Sequence, residues 1–172
     1  DLMMEGLNRL PKSGEDIPCK ETKTAVGGCA YNVANTLRNL NCEHDLCVPV
    51  GSGSFADIIR RGMKEKGYEP MIEEPGEDNG YCLSLVEADG ERTFITVQGA
   101  ECHFKKEWFE QIDMDNYENI YIAGYQVCGK SVKSFTMVEK QWKNVEENIS
   151  FSHREPNGLR QSNLKQWKTF LH

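Results

Sequence analysis

No run of about eighteen apolar residues occurs in this 172-residue chain, so no membrane-spanning helix is expected. No secretory leader is visible either, and a soluble cytoplasmic protein is the expectation. Cations are in deficit: 20 Lys and Arg against 27 Asp and Glu give a net charge of −7 and a pI of about 5.2. A nucleic-acid partner needs clustered cations that displace counterions from phosphates, and no basic stripe exists here. The seven cysteines, at positions 19, 29, 42, 47, 82, 102 and 128, contain no C-x-x-C pair, and Cys102-His103 lacks ligand spacing. Reduced, structural thiols are expected, with no metal site and no disulfide framework. Cys47 and Cys82 lie inside apolar runs, where a free thiol behaves as a small hydrophobe. Glu73-Glu74 and Glu146-Glu147 are adjacent in sequence, so their side chains diverge, and none of the four histidines has a visible Ser or Cys partner. No catalytic set is assigned.

The length suits one domain with a sizeable core, or a large part of a bigger α/β domain. Residue 1 is Asp, and Asp1-Leu2-Met3-Met4 reads as the end of a strand, so an incomplete N-terminal portion is expected. Leu10 to Gly14 forms a turn, and Asp16 to Val26, rich in Thr, Ile and Val, suits a strand. Ala30, Val33, Ala34, Leu37 and Leu40 recur at helical spacing up to Asn41. Asp45 to Val50 reads as a buried strand, and Ser54 opens a second helix with Phe55, Ile58, Ile59 and Met63 inward and Asp57 placed to complete a capping box. Strand and helix alternate, as in an α/β sheet.

Tyr81 to Glu87 and Arg92 to Val97 flank Ala88-Asp89-Gly90-Glu91, and Asp-Gly is a strong hairpin signal. An antiparallel hairpin thus interrupts the alternation. Phe104, Trp108, Phe109 and Ile112 suggest a short helix, Ile120 to Gly124 a buried strand, and Val132 to Val145 a longer helix. Residues 1–148 carry a net charge of −10, and residues 149–172 carry +3. That tail shows weak apolar periodicity and contains Pro156-Asn157-Gly158, so it is read as atypical, the product of a frameshift or another aberrant translation of a longer gene.

The most informative stretch is Ala25-Val26-Gly27-Gly28-Cys29-Ala30-Tyr31-Asn32-Val33-Ala34. A glycine pair opening a helix lets backbone approach a small molecule, the free N–H groups of the helix start can donate to its oxygens, and Asn32 can both donate and accept. A sugar or nucleoside seat fits this chemistry, and a plain strand-to-helix turn is the alternative.

Asp1, Pro11-x-x-Gly14-Glu15, Gly27-Gly28-x-x-x-Asn32-x-Ala34, Gly51 to Ala56 and Asp89-Gly90-Glu91-Arg92, in this order, resemble the N-terminal half of the ribokinase-like (PfkB) sugar and nucleoside kinases. The resemblance covers residues 1–148. It implies a Rossmann-like α/β fold, a three-layer αβα arrangement with a small β-sheet lid built from segments near residues 2–8, 16–24 and 81–97. It implies that Asp1 accepts hydrogen bonds from sugar hydroxyls while Gly27, Gly28 and Asn32 hold the rest of the acceptor. ATP and Mg2+ follow as cofactors, a sugar or nucleoside as the small-molecule partner, and a homodimer through the lid sheet as an option. The family's Gly-Ala-Gly-Asp motif, whose aspartate deprotonates the acceptor hydroxyl, is absent, and so is its ATP-binding segment. Gly99-Ala100-Glu101 is a superficial echo in the wrong half. Cys29 stands where ribose-type members often carry Lys, and Gly124, Tyr125 and Gln126 follow the Ile120 strand where an acceptor contact is often placed.

Two other readings compete. Gly51-Ser52-Gly53-Ser54-Phe55-Ala56 fits the dinucleotide fingerprint G-x-G-x-x-A with acids at Glu69, Glu73 and Glu74 beyond it, the pattern of an NAD-dependent oxidoreductase. That fingerprint normally follows the first strand of its fold, whereas a helix and a strand precede it here. A non-catalytic sugar-binding or dimerising fragment is the third reading.

Overall fold

The computed structural model describes residues 1–103, 105–113, 116–117 and 119–123, and the backbone of 149–152. Along the chain lie β1 (Leu2–Leu7), β2 (Glu21–Thr24), α1 (Cys29–Asn39), β3 (Pro49–Val50), α2 (Ser54–Glu65), β4 (Ile72–Glu73), β5 (Tyr81–Glu87), β6 (Arg92–Val97), β7 (Ile120–Ala123) and β8 (Ile149–Ser152). Two single 3-10 turns, Ala100–Cys102 and Lys106–Trp108, follow β6 where a short helix is expected, and Phe104 lies outside the described residues. The expected helix at Val132 to Val145, the segment Gly124 to Gln126 and the tail beyond Ser152 also lie outside them.

Four strands make one small sheet in the order β2-β1-β5-β6. Its two outer pairings are antiparallel, and the central one, β1 on β5, is parallel. The β5–β6 ladder runs from Tyr81↔Val97 to Val86↔Arg92, closed by Ala88 to Glu91 with Gly90 at φ 90° and the Asp89 carboxylate accepting the Glu91 N–H. Only a residue without Cβ takes that φ freely. Outside this sheet, β3 pairs in parallel with β4 across α2, and β7 pairs in parallel with β8.

Two expected strands are shorter than their composition suggests. From Asp16 to Val26 only Glu21–Thr24 is strand, an exposed edge held by β1 alone. Pro18 has no N–H to give a ladder, so pairing begins where the Lys20 N–H reaches the Glu5 carbonyl. From Asp45 to Val50 only Pro49–Val50 is strand, because β4, its partner among the described residues, is two residues long. Leu46 and Val50 are buried all the same.

Both helices end alike. After α1 the Asn41 N–H donates to the Arg38 carbonyl and the Cys42 N–H to the Leu37 carbonyl, with Asn41 at φ 55°. After α2 the Gly67 N–H reaches Lys64 and the Tyr68 N–H reaches Met63, with Gly67 at φ 80°. These are Schellman closures, which satisfy the last carbonyls through one left-handed residue. The helices meet over a core of Ala34, Leu46, Val50, Ala56 and Met63, with Tyr31, Ile59 and Tyr68 packed against it.

The start of α2 corrects the expected capping box. Gly53, not Ser54, is the cap residue and makes no side-chain cap, and Asp57 closes no box. The cap comes from across the chain, because the Asp78 carboxylate accepts the N–H of Phe55 at 3.2 Å and of Ala56 at 2.8 Å. Burial is the largest influence on Asp78 and pushes its pKa up, yet the N–H groups of Ala56, Phe55, Asn79 and Ser54 together hold it below its ordinary value of 3.8. A group whose folded pKa is depressed adds stability above its unfolded pKa and loses it as the pH falls through the folded one. Asp78→Ala is therefore expected to cost about 1–2 kcal/mol at neutral pH. In urea melts from neutral pH down through the aspartate range, the gap between parent and variant should shrink as the acid limit is approached.

Candidate functional site

The chain enters β1 through Asp1, whose backbone adds one more rung beside β2. Its backbone nitrogen donates to the Ala25 carbonyl at 2.7 Å and its carbonyl accepts the Ala25 N–H at 3.0 Å. That rung brings the Asp1 side chain over Gly27, where a Cβ would lie 2.1 Å from Oδ2. The glycine is thus explained by a carboxylate that needs the space. Gly28 follows at φ 100° and starts α1, and this helix start has no side-chain cap and no acid in its first turn. Its first N–H groups and their share of the helix dipole, about half an elementary charge, are left for something else.

Asp1, Gly27, Gly28 and Cys29 line one cavity of about 580 Å³ between the small sheet, the two helices and β7. The structure brings these predicted residues together, but it does not bring Asn32 with them. Asn32 is exposed on the first turn of α1, does not line the cavity, and is engaged through its backbone, with its N–H on the Gly28 carbonyl and its carbonyl accepting the Thr36 hydroxyl.

Residues that the sequence reading passed over also reach the cavity: Asn79, Tyr81, Cys82, Thr96 and Glu101. Asn79 is 5% exposed; its Oδ1 accepts the Gly51 N–H at 2.8 Å and its Nδ2 donates to the Pro49 carbonyl at 3.1 Å. Glu101 accepts the N–H of Gly80 at 2.9 Å and of Gly99 at 3.2 Å, and stands 3.4 Å from Asn79 Nδ2. Both ends of the β5–β6 hairpin are thereby gripped by one carboxylate. The only signal for this in the sequence is the glycine before β5 and the one after β6. Phe55 of α2 stacks on Tyr81 of β5 at 4.3 Å and 14°, joining the helices to the small sheet.

Six of the cysteines are described, and all six are free. Burial, reinforced by the nearby Asp45 charge, pushes the Cys47 thiol up to about 12, which makes it an inert part of the wall. His44 does not point into the cavity; it lies 2.7 Å from both the Cys42 carbonyl and the Tyr68 hydroxyl, closing the end of α1 against that of α2. Among the described residues no group of three or more His, Cys, Asp or Glu is set to hold a metal ion, and no helix is long and apolar enough to cross a membrane.

The dinucleotide alternative loses its seat. Pyrophosphate would need the N–H groups at the start of α2, and Asp78 already takes those of Phe55 and Ala56. A Cβ on Gly53 would lie 2.4 Å from the Asp78 carboxyl, and one on Gly51 would lie 2.1 Å from the Glu77 carbonyl. The glycines of Gly51-x-Gly53-x-x-Ala56 admit this loop. Of the acids beyond them, Glu73 pairs with Arg60, and Glu74 accepts from Lys105 and Trp108.

Known proteins share this fold. The profile of the pfkB family carbohydrate kinases matches residues 1–165. An uncharacterized sugar kinase of Escherichia coli, YegV, is 39% identical over 124 residues, which is 70% of this chain and 39% of that protein. A ribokinase of Arabidopsis thaliana is 25% identical over 136 residues, 77% of this chain and 35% of its own length. The chain thus spans well under half the length of these relatives. Among solved structures, ribokinase from Giardia lamblia superposes with a TM-score of 0.71 at 20% identity, covering 87% of this chain and 49% of that one. These structures carry the ribokinase fold, an α/β architecture to which the strands and helices described above conform.

Two glycines separate fold from site. A Cβ on Gly99 would lie 2.2 Å from the Gly80 nitrogen and 2.5 Å from Asn79 backbone carbon, and backbone cannot step aside. Gly99→Ala is expected to cost roughly 2 kcal/mol or more in thermal or urea unfolding. Gly27→Ala meets the far end of the Asp1 side chain, which can rotate, so its melting temperature should stay near the parent's while ligand binding at the cavity falls.

Proposed function

Because the chain belongs to the pfkB family of carbohydrate kinases, we propose that it carries the acceptor-binding part of an ATP-dependent kinase that phosphorylates a hydroxyl of a sugar or nucleoside. The observation that supports this reading is the Asp1 carboxylate held over Gly27 beside the uncapped start of α1. A hydroxyl is both donor and acceptor: its O–H donates a hydrogen bond to the carboxylate and its oxygen accepts one from an N–H of the helix start. Vicinal hydroxyls repeat that pattern, and the glycines let the ring come close. Asn32 would join them only by turning its side chain inward when ligand is bound.

ATP with Mg2+ would supply the phosphoryl group. Among the described residues nothing fits that pair, since Asp78 fills the start of α2 and no metal-binding cluster is present. The sequence also holds no Gly-Ala-Gly-Asp segment to deprotonate the acceptor. The chain is therefore expected to bind its acceptor without transferring phosphate, in the cytoplasm where ATP and sugar meet.

The small sheet closes over the cavity as a lid in this reading, and a second copy would cover its outer face. Ile95 of the edge strand β6 is 52% exposed, on the face opposite Thr96 by strand alternation. If the sheets pair, Ile95→Lys should sediment as a monomer at concentrations where the parent chain is a dimer. Monomeric parent protein would remove the dimer from the proposal.

The acceptor reading is tested by thermal shift and calorimetry with pentoses, hexoses, nucleosides, Mg-ATP and NAD at millimolar concentration. One sugar or nucleoside should raise the melting temperature, and NAD should not. Asp1→Asn should weaken that ligand roughly tenfold or more, the scale of a hydrogen bond to a charged group. A shift with NAD alone would overturn the proposal.

A further inference from the structure

The charged side chains that line the cavity among the described residues are Asp1 and Glu101, and both are acids. One influence of opposite sign opposes them: the start of α1 contributes about half a positive charge. The Glu101 carboxylate accepts the N–H groups of Gly80 and Gly99. A wall that pairs a carboxylate acceptor with N–H donors matches hydroxyls on both counts, whereas a carboxylate or phosphate group can only accept.

Resting on the acceptor-site reading above, we infer that this site selects an uncharged polyhydroxylated acceptor and refuses sugar acids and phosphorylated sugars. An anion entering the cavity gives up water, finds one weak dipole in its favour and meets two full charges of its own sign. The terms do not balance. A neutral pentose, hexose or nucleoside meets no such opposition, and its hydroxyls use the donors and acceptors together.

The experiment is calorimetry on the whole 172-residue chain with matched pairs: each neutral sugar or nucleoside of the panel against its terminal phosphate ester, and each aldose against its sugar acid. The neutral member should bind roughly tenfold or more tightly than its anionic partner. Thr96→Lys adds a cation from an exposed position of β6 on the cavity wall, and should raise affinity for the anionic member about threefold or more relative to its neutral partner. An anionic member that binds the parent chain as tightly as its neutral partner overturns this inference and leaves the acceptor site standing. Binding by no member of any pair overturns the acceptor site, and this inference with it.

Discussion

The loop Glu77 to Gly80 is the constraint on which the rest of the architecture hangs. In four residues it gives the Ser52 N–H a carbonyl, caps α2 with Asp78, ties the end of β3 through Asn79, and starts β5 at Gly80 under the Glu101 carboxylate. Each bond is worth about 1 kcal/mol, and each joins elements that are separate in the chain. The apolar core of Ala34, Val50, Ala56 and Met63 supplies the larger share of cohesion without fixing direction. Hydrogen bonds from this loop supply the direction. Gly51, Gly53 and Gly99 are glycines because backbone or carboxylate of the loop stands where their side chains would be.

The candidate site follows from an asymmetry between two helices built alike. Both begin at a glycine with positive φ and both end in Schellman closures. The start of α2 is filled by Asp78, whereas the start of α1 receives no carboxylate cap, and Asp1 stands beside it over Gly27. The first arrangement is saturated and serves the fold. The second keeps donors and an acceptor side by side, which is what a hydroxylated molecule requires.

The parts of this structure written in local pattern were legible in the sequence. The β5–β6 hairpin falls on the residues that Asp89-Gly90 indicates, and both helices begin within about a residue of where their periodicity does. The parts decided by distant partners were not. Strand propensity from Asp16 overran because Pro18 cannot donate to a ladder, and from Asp45 because β4 is only two residues long. Ser54 and Asp57 look like a capping box locally, but a carboxylate more than twenty residues away took the position. Asn79 and Glu101 had no motif to announce them, since their importance lies in what the fold sets beside them. Asn32 was read from a motif, and the structure leaves it exposed on the first turn of its helix.

One feature of the small sheet governs how the chain can come together. Its central pairing sets Leu2 against Leu83, so β1 needs a partner that lies beyond both helices in the chain. A ladder of such high sequence separation closes slowly, because the intervening segment must be ordered before the contact can form. Until then β1 has β2 alone, a four-rung hairpin too small to persist by itself. On a ribosome the apolar strand Leu2–Leu7 would therefore wait, unpaired on one edge, through the synthesis of both helices. That interval is when an edge-seeking chaperone, or a second nascent chain, would find it.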